Sequence, residues 1–233
     1  MEERSLDLLP RLEDTRDRQI PQILKFELNE IKAHFDEDLS AISSLFTVFK
    51  QNEKNDVCAK LILRSQVVLL ESAFDFYLHE ITKFGVNKIF EGSWVSTEKY
   101  KNIVIKLEMV EKILNNEVSE NWFFEFINQY YSKETMVSFE SIKDQMNLLG
   151  IRIQDIADKA FYEQGSSKPT ITKMKNIVNA LYKRRNIIAH QSNWGHEDAA
   201  YYPITKEQVN DFIVGVEKIV NAVHEVAMLH EWW

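Results

Sequence analysis

The sequence predicts an all-α protein, and three observations support that prediction. Its 233 residues include only 6 glycines and 4 prolines. Over long segments the apolar residues recur at intervals of three and four, which is typical of amphipathic helices. The same segments are rich in Leu, Ile, Lys, Glu and Phe, a composition that favours helices over a β-sandwich or barrel. We therefore expect an antiparallel four-helix bundle with few if any strands.

Two long helices are predicted in the first third of the chain. Apolar residues spaced by three or four indicate one helix over residues 20–49, with Pro21 tolerated in its first turn. A polar turn over 51–56 separates it from a second helix over 57–84, which we expect to end at Gly85. Because neighbouring positions of the second helix are also apolar, more than one of its faces should be buried. The short turn makes the two helices an antiparallel hairpin.

Shorter helices are predicted in the middle of the chain, over about 99–114, 120–131, 139–148 and 153–161. We interpret the stretch from about 91 to 165 as an insertion packed on the bundle. The predicted division is then an N-terminal helical extension over 1–56, packed on the bundle, and a helical domain over 57–233 that contains this insertion.

The last two long helices follow a break at 165–169. Ile171, Met174, Val178, Leu181, Arg185 and Ile188 repeat at intervals of three and four, so Arg185 lies on the line of a buried apolar stripe. The closing helix is expected over about 206–230. Thr205, followed three residues later by Gln208, is a capping-box pattern at its start.

Composition limits the classes of function. The formal net charge of -8 argues against indiscriminate nucleic-acid binding, since phosphate contacts by Lys and Arg supply most of that affinity. One cysteine, Cys58, gives neither an internal disulfide nor a metal cluster. The N-terminus lacks a signal-peptide pattern, and apolar runs of at most four residues are too short to cross a bilayer. We expect a cytoplasmic protein with no membrane partner.

One segment departs from this acidic composition. Residues 165–194 contain no Asp or Glu. Its Lys and Arg residues are Lys168, Lys173, Lys175, Lys183, Arg184 and Arg185. An anion-binding surface is therefore predicted within an acidic molecule.

The end of this segment carries groups suited to phosphodiester cleavage. Asn186 and His190 are four residues apart and share a helix face, while Arg185 is rotated by about 140 degrees from His190. An imidazole can exchange a proton with a ribose 2'-hydroxyl or a leaving 5'-oxygen near neutral pH. The Arg185 guanidinium suits the non-bridging phosphate oxygens. Lys175, Lys183 and Arg184 are expected to bind neighbouring RNA phosphates.

A structural explanation for these residues also stands. Arg, Asn and His near a helix C-terminus can satisfy its last carbonyls and its dipole. Arg185 on an apolar stripe nevertheless needs an acidic partner, a subunit interface or a ligand, because burying an unpaired charge is costly. Glu71 and Asp75 are candidate ion-pair partners. Asp75 and His79 also have the spacing of a metal pair, but nothing completes a metal shell, so no metal is expected.

Arg185-Asn186-Ile187-Ile188-Ala189-His190, near the end of the third long helix of a four-helix unit, resembles the signature of the HEPN superfamily. The helix over 69–81 also resembles the first bundle helix of the RiboL-PSP type. The resemblance covers about 57–229 and implies a HEPN-type bundle with an additional long N-terminal helix. It further implies a metal-independent endoribonuclease without a cofactor, often in phage defence or toxin-antitoxin systems.

The resemblance also implies an assembly. It implies a homodimer through the motif-bearing helices, with the two motifs forming one composite site. In that site His190 is the general acid or base, Arg185 binds the phosphate and Asn186 orients. RNA is the implied substrate, and an antitoxin or regulatory protein is a possible partner. The alternative is a catalytically inactive dimeric HEPN module that binds a partner or senses a nucleotide.

Overall fold

The computed structural model describes residues 24–132, 134–191 and 202–230. Within these ranges all the regular secondary-structure elements are helices, joined by turns and loops. The helices are α1 (Leu28–Gln51), α2 (Asp56–Phe90), α3 (Glu98–Lys101), α4 (Leu107–Leu114), α5 (Trp122–Tyr131), α6 (Phe139–Leu148), α7 (Ile153–Phe161), α8 (Thr170–Gln191) and α9 (Lys206–His230). None of these helices combines the length and the apolar character that a bilayer crossing requires.

Four long helices, α1, α2, α8 and α9, bracket five short ones, so the predicted all-α bundle is confirmed. Helix α1 packs along α2, and α2 also contacts α8 and α9. Side chains from α5, α6 and α7 join the same continuous apolar core. The segment predicted as an insertion is therefore packed on the long helices. The division at residues 56 and 57 stays a prediction.

Helix α2 is the central element of the fold. It contacts α1, α5, α6, α8 and α9, and its buried residues lie on more than one side of the helix axis. Leu70 and Phe74 are fully buried, and the Tyr77 hydroxyl reaches the Val220 carbonyl oxygen at 3.4 Å. The expectation that more than one face of this helix is buried is confirmed. Residues on α2 can therefore contact several helices at once.

The prediction that Gly85 ends this helix was wrong. Helix α2 continues to Phe90, and the glycine with positive φ beyond it is Gly92, at +78°. A Cβ on Gly85 would lie 2.6 Å from Leu149 Cδ2 and 2.8 Å from a Trp94 ring carbon. Gly85 thus lies within the helix and lets the side chains of Leu149 and Trp94 pack closely against it. A helix pattern alone does not distinguish this role from that of a glycine at a helix C-terminus.

The other predicted ends also differ in places. Helix α1 begins at Leu28 because a capping box forms there: the Glu27 backbone N–H donates to Glu30 Oε2 at 2.8 Å. Pro21 lies outside the described residues. The helix predicted over 99–114 is divided into α3 and α4. Helices α6, α7 and α9 have the predicted bounds, and the Gln208 N–H donates to Thr205 Oγ1 at 3.2 Å at the start of α9.

Candidate active site

Helix α8 carries the candidate motif in its last two turns. Its buried side is formed by Met174, Val178 and Leu181, each at most 1% exposed. His190 lies on the opposite, exposed side, and Asn186 is partly buried on the same side. Arg185 points toward the interior, and 31% of its side chain is exposed. Within one chain, the arginine and the histidine of the motif therefore lie on different sides of α8.

The interior partner of Arg185 is Glu71 on α2. Arg185 Nε lies 3.1 Å from Glu71 Oε2, and the Glu71 side chain is only 3% exposed. The ion pair considered from the sequence is thus present. The sequence left open an acidic partner, a subunit interface or a ligand for the arginine on the apolar stripe of α8. The stripe packs inside the chain, against α2, α7 and α9. An acidic partner, not a subunit interface, accounts for the arginine on the stripe.

Glu71 combines a charged contact with burial. Burial raises the pKa of the Glu71 carboxyl, the positive charge of Arg185 opposes that rise, and Asp75 adds to it. Glu71 Oε1 is buried, and no group among the described residues donates a hydrogen bond to it. Arg185 is therefore the contact that favours the ionised form of this carboxyl, in opposition to its burial.

Asn186 connects the two sides of the motif. Arg185 Nη1 donates to Asn186 Oδ1 at 3.2 Å. The amide NH2 of Asn186 can still donate to a ligand, because the contact with Arg185 uses only the amide oxygen. A guanidinium has five N–H donors, so Arg185 also keeps donors beyond these two contacts. Asn186 is thus coupled to the arginine, whereas the sequence suggested that it orients the imidazole.

Arg184 has a different environment from the one expected for an RNA-binding residue. It is 7% exposed, and its Nη2 donates to the carbonyl oxygens of Tyr202 at 3.3 Å and Pro203 at 2.9 Å. These bonds join the last turns of α8 to the segment that leads into α9. The structure thus gives Arg184 a role in holding two helices together, and we do not retain it as an RNA ligand.

The two lysines of the expected RNA-binding set also differ from each other. Lys175 Nζ lies 3.1 Å from Glu140 Oε1 on α6 and 5.2 Å from the centre of the Phe139 ring. Lys183 is exposed and lies seven residues before His190, about 10 Å along the helix on the same face. Lys183 is therefore placed near the motif, and Lys175 is both distant from it and paired with an acid.

The Asp75 and His79 pair has structural contacts. Asp75 Oδ1 accepts the Met136 N–H at 2.7 Å, and His79 Nε2 lies 2.9 Å from the Glu134 carbonyl oxygen. Both contacts fix the segment between α5 and α6 against α2. Among the residues that the structure describes, no group of three or more His, Cys, Asp or Glu side chains is arranged to bind a metal ion.

An exposed apolar face on α2 was not identified from the sequence. Val57, Leu61, Leu69 and Phe76 are 75%, 56%, 47% and 46% exposed. They lie on one side of α2. Two of them, Leu61 and Leu69, line an open groove that is bordered by Ile188 of the motif. Because α2 is apolar nearly all round, its sequence pattern did not reveal which face stays uncovered. We call these four residues the α2 apolar face.

Comparison with known proteins identifies the family. The model of the RiboL-PSP-HEPN family matches residues 22–228, which is most of the chain. The match begins before α1, whereas the resemblance seen in the sequence began near residue 57. No curated protein and no solved structure matches the chain. On the family match and the helical fold, the chain belongs to the RiboL-PSP-HEPN family.

Proposed function

We propose that the protein is a metal-independent endoribonuclease that cleaves RNA through the ribose 2'-hydroxyl. The observation that carries this proposal is the arrangement at the end of α8. Arg185 is fixed by Glu71 and joined to Asn186, and His190 is exposed one turn further on. These residues provide a phosphate ligand, an amide donor and a proton carrier on one accessible helix end.

In the proposed reaction the 2'-oxygen attacks phosphorus and the bond from phosphorus to the 5'-oxygen breaks. The 2'-hydroxyl proton passes to an imidazole, and a proton is delivered to the leaving 5'-oxygen. The products are a 2',3'-cyclic phosphate and a 5'-hydroxyl, so the reaction consumes no water. Arg185 and the Asn186 amide stabilise the charge that develops on the non-bridging oxygens.

A homodimer would explain how two proton transfers occur in one site. One His190 accepts the proton, and His190 of the partner subunit donates the other. The α2 apolar face supports a second copy as the occupant of this region, since clustered exposed apolar side chains mark interaction sites. Its groove is bordered by Ile188, between Arg185 and His190 in the sequence. The interface proposed here thus includes α2 as well as α8.

The proposed biological setting is the cytoplasm, in phage defence or a toxin-antitoxin system. In that setting an antitoxin or another regulatory protein would restrain the nuclease. The support for this setting is the family alone.

A comparison of variants tests the activity. Wild type, His190→Ala and His34→Ala are incubated with single-stranded RNA in excess chelator, and the product ends are analysed. We expect cyclic phosphate ends and a loss on the order of 100- to 10,000-fold for His190→Ala. His34 is a matched control because it lies on α1, where it packs against the Phe26 ring. Equal cleavage by wild type and His190→Ala would contradict the proposal, as would cleavage that needs a metal.

The inactive module remains the second candidate, and the Glu71 contact favours it. An arginine already neutralised by a buried carboxylate binds phosphate less strongly than an unpaired one. Under this alternative, wild type and His190→Ala both fail to cleave RNA, while Leu69→Asp on the α2 apolar face still disrupts the dimer. Cleavage that depends on His190 excludes it.

A further inference from the structure

The exposed side of α8 carries one continuous row of polar side chains that ends at His190. The row consists of Thr172, Asn176, Asn179, Lys183, Asn186 and His190. Its members are spaced by four, three, four, three and four residues, so they lie on one face of the helix. All are exposed except Asn186, which is partly buried. From Thr172 to His190 the row extends about 27 Å along the helix. We call it the α8 polar row.

The composition of this row differs from that of the other long helices. The exposed side of α9 includes Glu207, Asp211, Glu217 and Glu225, and that of α1 includes Asp36, Glu37 and Asp38. Helix α8 has no acidic residue at any position, in a chain with 36 acidic and 28 basic residues. A helix face without acids can accept a polyanion without charge repulsion.

Helix stability does not explain the row. Asn and Thr rank among the poorer helix formers and are less favourable than Ala at exposed helix positions. Asn176 and Asn179 sit mid-helix, where neither can serve as a cap. Their exposure means that core packing does not require them. The residues of the row therefore stabilise the helix less than alanine would, but they carry polar groups that can contact a ligand.

The chemistry of the row matches an unpaired nucleic-acid strand. An asparagine amide donates and accepts hydrogen bonds, as base edges and ribose hydroxyls do. Lys183 can pair with a phosphate. Cations beside the row are already matched by acids: Lys173 Nζ lies 2.7 Å from Glu163 Oε2, and Lys175 pairs with Glu140. In a duplex the base edges are paired and less accessible to a single helix face, so a single strand fits better.

We propose that the α8 polar row binds single-stranded RNA on one side of the scissile phosphate, along α8 from His190 toward Thr172. This inference rests on the proposed nuclease function and adds where its substrate lies. Recognition would then depend on strand length, with Asn179 and Asn176 contacting nucleotides about 16 and 21 Å from His190. Lys183 would hold the phosphate nearest the cleavage site.

The test compares Asn176→Ala/Asn179→Ala with Asn210→Ala, an exposed asparagine on α9. Alanine is the better helix former, so the double variant should fold at least as stably as wild type. Two hydrogen bonds of about 1 kcal/mol each correspond to a rise in KM of roughly 30-fold for a long strand. We expect that rise to shrink as the RNA is shortened to a dinucleotide, and Asn210→Ala to behave as wild type.

Other outcomes separate this proposal from the nuclease itself. If wild type cleaves RNA and the double variant keeps the wild-type KM for long strands, RNA binding by the α8 polar row is refuted and the proposed nuclease activity is supported. If wild type binds single-stranded RNA without cleaving it, and the double variant binds roughly 30-fold more weakly, RNA binding by the α8 polar row is supported and the proposed nuclease activity is refuted. A change in molar mass of the double variant overturns the proposal, because the row would then contact a second copy. Absence of RNA binding by wild type overturns it as well.

Discussion

Removing Arg185 is expected to destabilise the fold through Glu71, and the effect can be separated from catalysis. In Arg185→Ala the Glu71 carboxylate loses the charge 3.1 Å away while it stays 3% exposed. Removing one partner of a buried ion pair typically costs 3 to 5 kcal/mol, because the other charge is left uncompensated. The remaining group is the buried one, so we expect about 3 kcal/mol at pH 8.

The matched variant is Glu71→Gln/Arg185→Ala, which lacks both charges and keeps nearly the same shape at position 71. A neutral amide does not carry the desolvation cost of a carboxylate. The double variant should therefore be more stable than Arg185→Ala at pH 8, although it carries one more substitution. Glu71→Gln alone should cost less than Arg185→Ala, because the charge left behind is that of Arg185, whose side chain is 31% exposed to water.

The difference in stability between Arg185→Ala and the double variant should depend on pH. Burial raises the pKa of Glu71, and loss of Arg185 removes the charge that opposes that rise. A raised pKa in the folded state gives stability that is fully present below the unfolded value, near 4.3, and is lost as pH rises through the folded value. Arg185→Ala should therefore lose stability with rising pH relative to the double variant.

Urea unfolding gives the free energy of unfolding of each variant from the midpoint and slope of the transition. Repeating it at several pH values measures how the difference between the variants changes with pH. Equal stability of Arg185→Ala and the double variant at pH 8 would refute the argument, since Glu71 would then not be an uncompensated charge. A difference that does not change between pH 5 and pH 8 would refute the assignment to its ionisation.

Three further predictions concern packing, assembly and the end of α8. Gly85→Ala should lower the free energy of unfolding by about 1 to 3 kcal/mol in a urea titration, because the new Cβ meets Leu149 at 2.6 Å. Leu69→Asp should shift the molar mass in light scattering from that of the proposed dimer to that of a monomer, and Val95→Asp, at an apolar position off α2 that is 83% exposed, should not; an unchanged mass for Leu69→Asp contradicts the proposed interface. Arg184→Gln should lower stability by about 1 to 3 kcal/mol and leave RNA affinity as in wild type, since its donors bind carbonyl oxygens. Weaker RNA binding by a stably folded Arg184→Gln would indicate that Arg184 is an RNA ligand after all.

The helices were largely predictable because their apolar spacing is regular. The bounds of α6, α7 and α9 follow from that spacing and from local capping residues such as Thr205. Gly85 misled the prediction, because a glycine that ends a helix and one that admits Trp94 and Leu149 look alike in sequence. The tertiary neighbours decide between those two roles, and they are distant in the chain.

The positions of the candidate residues on α8 were predictable, and their surroundings were less so. The spacing placed Asn186 and His190 on one face, and it placed Arg185 on the buried stripe where Glu71 meets it. It did not show that Arg184 is the more buried of the two arginines. Arg184 Nη2 donates to the carbonyl oxygens of Tyr202 and Pro203, which lie 18 and 19 residues further along the chain.

The position of His190 on the exposed side of α8 has a genetic consequence. Substitutions at this position should leave the chain folded and abundant, whereas substitutions at Arg185 should reduce the amount of protein. In a population selected for escape from the proposed nuclease activity, His190 alleles would then produce intact subunits that can assemble with wild-type ones in the proposed dimer. Such alleles should be dominant over the active gene, and Arg185 alleles recessive.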